Sequence, residues 1–123
     1  INIISTSVKQ PIAGLGVSNT VRGAVASWSK TLSFEVAKHG ITVNNILPGF
    51  TDTERLASLV ESKATANNVS ADTIKKDMIS TVPNGRFGKP EETAKAIAFL
   101  ASHAAGYING INLAVDGGRL TSL

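Results

Sequence analysis

The stretch from Ser18 to Gly49 constrains the fold more than any other part of the chain. Val17, Val21, Ala24, Val25, Trp28, Leu32 and Val36 recur at three- and four-residue steps, the spacing of one face of a helix running from Ser18 to Lys38. Lys38 and His39 stand in its last turn, where cations suit the negative end of the helix dipole, and Gly40 supplies the stop. Ile41 to Leu47 is then a short run rich in Ile and Val, as expected of a strand buried on both faces. Pro48-Gly49 turns the chain away from it. A long helix delivered into a buried strand is half of a βαβ unit, and the remaining segments must be fitted around it.

On either side the signals are simpler. Ile1 to Thr6 reads as a buried strand ending in Ser5, Thr6 and Ser7, followed by a loop punctuated by Pro11, Gly14 and Gly16. Thr51, Asp52 and Thr53 offer N-caps to a helix carrying Leu56, Leu59 and Val60, with Glu54 in its first turn. Asn67, Asn68 and Ser70 break that helix, and a second one follows near Ala71 to Ser80 with Ile74, Met78 and Ile79. The polar segment from Ser62 to Thr73 is expected to be the mobile part, a lid or a loop. After a turn at Pro83-Asn84-Gly85, Lys89-Pro90-Glu91-Glu92 opens a helix whose apolar face is Ala94, Ile97, Ala98, Leu100 and Ala101. Ile111 to Val115 is the last strand, ended by Asp116-Gly117-Gly118. The order β-α-β-α-α-α-β implies an α/β fold with a mostly parallel sheet and helices on its faces.

Length and charge narrow the function classes. With 123 residues the chain is one domain or part of one, and it opens without an initiator Met, as a fragment would. The net charge of +3 is spread over scattered Lys and Arg, which excludes a basic nucleic-acid stripe. The chain has no cysteine, so disulfides and thiolate metal sites are ruled out; a cytoplasmic location is the expectation. No apolar run approaches the roughly 18 residues of a membrane span. His39 and His103 fall at predicted helix ends, where capping explains them better than metal ligation. Gly14-Leu15-Gly16 lacks the third glycine and the βαβ context of a phosphate cradle, and reads instead as a loop entering a helix.

One ordered set of residues points to chemistry. In a parallel α/β sheet, ligands bind beyond the carboxyl ends of the strands. Ser5 ends the first strand, Pro48 to Thr53 leaves the second, and Ser18 and Arg22 stand four residues apart on one helix face. These three groups can line one crevice. Equally, Ser18 can simply cap the helix and Arg22 be a surface cation.

The chain resembles the C-terminal half of the short-chain dehydrogenase/reductase family, most closely its 3-oxoacyl-acyl-carrier-protein reductase-like branch. The resemblance spans essentially the whole chain: Gly40 to Thr53 is similar to the family's strand and Pro-Gly segment, Arg86 to Glu92 to its penultimate-helix entry, and Tyr107 to Gly118 to its closing strand. It implies half of a Rossmann-like doubly wound domain, with the dinucleotide-binding half upstream of Ile1, so residues 1–123 alone should bind dinucleotide poorly. It implies NAD or NADP as cofactor, a small-molecule carbonyl substrate, and a homodimer or homotetramer formed through the helix that holds Gly23, Ala24, Ala26, Ser27 and Ser29. The family's catalytic Ser falls on Ser5, and its Tyr-x-x-x-Lys motif falls on Ser18-Asn19-Thr20-Val21-Arg22. Ser18 and Arg22 thus replace the catalytic Tyr and Lys, and Tyr107 matches only a structural position. Pro48, Gly49, Thr51 and Thr53, with Arg22, are the implied cofactor contacts.

The replacements change what the site can do. A tyrosine phenol titrates near 10 when unperturbed, whereas a serine hydroxyl is a far weaker acid and shorter. Arg22 keeps the positive charge but does not deprotonate, so it holds a ribose or phosphate without shuttling a proton. The expected function is a divergent NAD(P)-dependent oxidoreductase; the alternative is a non-catalytic nucleotide-binding or scaffold protein of the same fold.

Overall fold

The structure is a computed structural model that describes residues 1–122. Seven main elements follow one another: β1 (Asn2–Ile3), α1 (Gly16–Val36), β2 (Asn45–Pro48), α2 (Glu54–Asn67), α3 (Ala71–Ser80), α4 (Pro90–Leu100) and β3 (Asn112–Val115). The three strands form one parallel sheet in the order β1-β2-β3, with Asn2 beside Asn45 and Asn45 beside Asn112. This is the α/β arrangement that the element order implies.

Alternation along β2 divides the core between the two sheet faces. Leu47 packs with Ile4 and with Ala26 of α1, while Ile46 packs with Leu100 of α4 and Ala105. Both β2 side chains are fully buried. A third cluster, Leu56, Val60, Ala64, Ile74 and Met78, closes α2 onto α3, and Phe50 and Phe87 pack against it.

Several expectations need correction. The first strand is only two residues long, and Ile1 and Ile3 are exposed at its outer edge, because no described strand pairs with that edge. The second strand starts at Asn45 rather than Ile41. Just before it, side chains replace the ladder: Val43 N–H donates to Asn109 Oδ1 at 2.8 Å, and Asn44 Nδ2 donates to the Ile108 carbonyl at 2.8 Å. Ile41 itself is exposed.

The third correction concerns α1. Of its apolar stripe, Val25 packs on the core with Ile4 and Leu47, but Val17, Val21 and Trp28 are exposed, and Ala26, Ser29 and Ser33 are the buried residues of the helix. Periodicity says which residues share a helix face, not which face meets the sheet. Small residues win here because their hydroxyls are satisfied: Ser29 Oγ accepts from Asn2 Nδ2 at 2.8 Å, and Ser33 Oγ donates to the Lys30 carbonyl at 2.7 Å.

Ser62 to Thr73 is not an open loop. Helix α2 runs on to Asn67, Asn68 closes it in the left-handed conformation (φ 53°), and Ser70 Oγ accepts the Thr73 N–H to start α3. Asparagine tolerates that conformation better than most residues, which makes a compact helical hairpin possible. The α4 expectation holds at Leu100 and Ile97, but Ala94, Ala98 and Ala101 lie toward solvent. No described helix is long and apolar enough to cross a membrane.

Candidate active site

The carboxyl ends of β1 and β2 carry the candidate residues, and one hydrogen-bond network joins three of the elements. Continuing the register from Ile3 beside Ile46 places Ile4 beside Leu47 and Ser5 beside Pro48. Ile4 N–H donates to the Ile46 carbonyl at 2.9 Å. In a parallel ladder the Ile4 carbonyl would next accept from residue 48, but Pro48 has no N–H. Arg22 supplies the missing donor: one terminal guanidinium nitrogen lies 2.5 Å from the Ile4 oxygen. Its Nε donates to Ser18 Oγ at 3.2 Å, one helical turn back. Ser18 is therefore not a helix cap; α1 begins at Gly16 after Leu15.

The consequence for Ser18 is chemical. Its oxygen accepts a charge-assisted hydrogen bond, so its own O–H is left to donate elsewhere and is polarised to do so. Ser5 is placed differently. Its backbone is extended and its Oγ accepts the Ser7 N–H at 3.1 Å, capping the one-turn helix Thr6–Val8. No hydrogen bond links Ser5 to Ser18 or Arg22 among the described residues, although Arg22 grips the peptide unit that contains the Ser5 nitrogen.

Pro48 and Thr51 face a groove of about 350 Å³ with Ile3, Pro90, Thr93, Ala94 and Ile97. Ser18 and Arg22 line another, of about 680 Å³, with residues Ile1 to Ile4, Val21 and Val25. The single crevice expected from the sequence is thus two grooves that share Ile3, one on each side of the β1 edge. Gly49 and Thr53 have structural tasks. A Cβ on Gly49 would stand 2.7 Å from Asp116 Cα, so the bare backbone lets the turn rest on the end of β3. Thr53 Oγ1 accepts the Leu56 N–H at 3.3 Å and caps α2.

Around this segment lie groups that sequence reasoning passed over. Gly88 N–H donates to the Phe50 carbonyl and Asp52 N–H donates to the Gly88 carbonyl, both at 2.8 Å, which fixes the segment after the turn. Phe50 meets Phe87 edge to face with centroids 6.0 Å apart, and the Arg119 guanidinium carbon lies over the Phe50 ring, 4.2 Å from its centroid. Arg86 holds Glu92 through two nitrogens at 2.7 and 2.6 Å, and Lys89 N–H donates to the same carboxylate at 2.7 Å. The Arg86 hydrogen bonds, then the Lys89 N–H, lower the Glu92 pKa to about 2. The sequence shows Glu92 as a helix-start acid, and only the fold shows its arginine partner. Among the described residues no group of His, Cys, Asp and Glu can hold a metal ion.

The chain matches a family described as enoyl-(acyl carrier protein) reductase over residues 1–119. It is 37% identical over 123 residues to the NADPH-dependent reductase BacG of Bacillus subtilis, covering 100% of this chain and 48% of that protein. It is 43% identical over 101 residues to the 3-oxoacyl-[acyl-carrier-protein] reductase FabG of Haemophilus influenzae, covering 82% and 37%. The crystal structure of YwfH, an NADPH-dependent reductase involved in bacilysin biosynthesis, superposes with a TM-score of 0.91 at 36% identity, over 99% of this chain and 46% of that one. An actinorhodin polyketide ketoreductase solved with NADPH gives 0.92 at 31%, over 98% and 46%. The chain spans about half the length of the relatives it matches.

Proposed function

Because the chain belongs to the short-chain dehydrogenase/reductase family, we propose that it serves an oxidoreductase acting between a nicotinamide cofactor, NAD or NADP, and a small carbonyl compound or its alcohol. In this reading residues 1–123 are the C-terminal half of a Rossmann-like NAD(P)-binding domain. The observation that carries the reading is the bonded trio of Ser18, Arg22 and the Ile4 carbonyl, which keeps an ordered donor at the carboxyl end of the sheet although the usual residues are replaced.

The residues that would hold a nicotinamide are Pro48 and Thr51, which leave the carboxyl end of β2 where Pro48 neighbours Ser5 in the continued register, so that the ring would lie at the strand ends between the two grooves. When bound, the nicotinamide supplies or accepts the hydride. Ser18 O–H then donates to the substrate oxygen and orients the carbonyl, with Arg22 holding the serine in place. Ser18 is too weak an acid to end the step alone, so the proton on the product oxygen comes through it from solvent. Ser5 can offer a second donor, since its oxygen accepts from Ser7 and its hydrogen is uncommitted. Arg22 retains nitrogens beyond its two bonds and can reach a ribose or phosphate.

The same bonds favour a second reading, nucleotide binding or scaffolding without turnover, because Arg22 already has a structural task at Ile4. Incubating the whole protein with NADPH or NADH and a panel of ketones separates the two. Loss of reduced-nicotinamide absorbance supports the oxidoreductase; tight cofactor binding by calorimetry with no such loss supports the second reading.

A homodimer or homotetramer belongs to the same proposal. Its support is the exposed stripe of Val17, Val21, Ala24 and Trp28 on α1, more apolar surface than a free helix face normally carries. The cysteine-free composition supports a cytoplasmic setting.

A further inference from the structure

We propose that Arg119 is a specificity-determining residue that binds the carboxylate of the carbonyl substrate beside the Pro48-Gly49 turn; this rests on the oxidoreductase reading and names its substrate class. The Arg119 guanidinium carbon lies 4.2 Å from the centroid of the Phe50 ring. Its Nε is shut off from solvent and has no hydrogen-bond partner. The terminal nitrogens are not shut off in this way and are given no partner by the described residues. Among the described residues the ion pair joins Arg86 to Glu92, and none of them gives Arg119 a carboxylate.

A guanidinium held over an aromatic ring has lost part of its freedom before any ligand arrives. Its outer edge presents two parallel N–H donors, the geometry that a carboxylate accepts. Its terminal nitrogens are open to solvent and are assigned here to the carboxylate of the substrate.

The path of the chain puts Arg119 at the carboxyl end of the sheet. After β3 the backbone folds on itself: Gly118 N–H and Leu120 N–H donate to the two Asp116 carboxylate oxygens at 3.0 and 2.8 Å. Beyond Arg119, Thr121 Oγ1 meets Gln10 Oε1 at 3.5 Å, in the loop that follows Ser5. The tail therefore crosses the carboxyl end of the sheet from β3 to the exit of β1, passing Phe50 at the exit of β2. Phe50 is two residues, about 7 Å of extended backbone, beyond Pro48, and Pro48 neighbours Ser5 in the register.

A substrate carboxylate and a phosphate of the cofactor share the oxyanion chemistry that this fork recognises, so the test separates them. The whole protein, Arg119→Met and Arg119→Lys are titrated by calorimetry with acetoacetate, methyl acetoacetate, NADH and NADPH, and turnover of acid and ester is read in parallel. The unaltered protein should prefer the acid to the ester by at least about tenfold. Arg119→Met should abolish that preference with ester and cofactor binding unchanged, and Arg119→Lys should restore part of it. No acid preference in the unaltered protein overturns the assignment, as does equal weakening of acid and ester in Arg119→Met. An effect confined to NADPH overturns it too and gives the fork to a phosphate. Should Arg119→Met fail to fold, the acid-to-ester ratio of the unaltered protein and of Arg119→Lys decides. Acid preference without turnover would refute the oxidoreductase reading and leave Arg119 in place, while turnover blind to the carboxylate would do the reverse.

Discussion

Arg22 donates to the carbonyl of Ile4 at 2.5 Å, in the place where the strand ladder meets Pro48 and runs out of N–H groups. A side chain from α1 thereby ends the pairing of β1 with β2 and is held by the site it serves. Arg22→Met should lower stability by about 1–3 kcal/mol, since it leaves a polar backbone group unpaired. Arg22→Lys should cost less, because it can still reach the carbonyl but cannot hold Ser18 as well. Denaturant midpoints of the two variants check the order.

Gly49 is the second point where the turn depends on its residue type. An added methyl would stand 2.7 Å from Asp116 Cα and 2.8 Å from its Cβ. Gly49→Ala should destabilise by about 1–3 kcal/mol through overpacking. It should also displace the Pro48 and Thr51 side of the groove, which cofactor titration alongside thermal melting would detect.

Across the strands runs a chain of amides. Asn2 Nδ2 donates to Asn45 Oδ1 at 3.0 Å, and Asn45 Nδ2 donates to Asn112 Oδ1 at 2.8 Å, at register positions directly opposite each other. Asn45→Leu removes the middle of this chain in a residue only 3% exposed. Two amide groups then lose partners, so a loss of about 1–3 kcal/mol is expected. The double variant Asn45→Leu with Asn112→Leu should recover part of it, which denaturant unfolding would show.

Much of this architecture was legible in the sequence, and the failures have physical causes. Gly40 stops the long helix region in the left-handed conformation (φ 71°), Thr53 caps α2, and Pro90 opens α4, all signals that act within a few residues. What failed depends on tertiary contacts. Val17, Val21 and Trp28 of α1 turned outward because Ser29 and Ser33, with their hydroxyls satisfied, take the buried face instead. At the site, the one-turn spacing of Ser18 and Arg22 correctly placed them together, but Arg22's bond to Ile4 spans eighteen positions and leaves no local trace. Arg119 was invisible for the same reason: its ring partner, Phe50, is distant in the chain.

Acid should expose the role of Glu92. Its carboxyl titrates at about 2 instead of 4.5, mainly through the Arg86 hydrogen bonds and then the Lys89 N–H. A lowered folded-state pKa contributes stability that is complete above the unfolded value and is lost as pH falls through the folded one. Melting temperatures measured from pH 5 downward should fall more steeply for the unaltered protein than for Glu92→Gln, with the two curves converging toward about 2.

In the proposed reaction Ser18, polarised by Arg22, positions the substrate oxygen for hydride transfer. The direct measurement is steady-state turnover of the whole protein and of Ser18→Ala, with cofactor affinity determined on both. Ser18→Ala should bind NAD(P)H unchanged and lose about ten- to a hundredfold in kcat. An unaltered kcat in Ser18→Ala would contradict it.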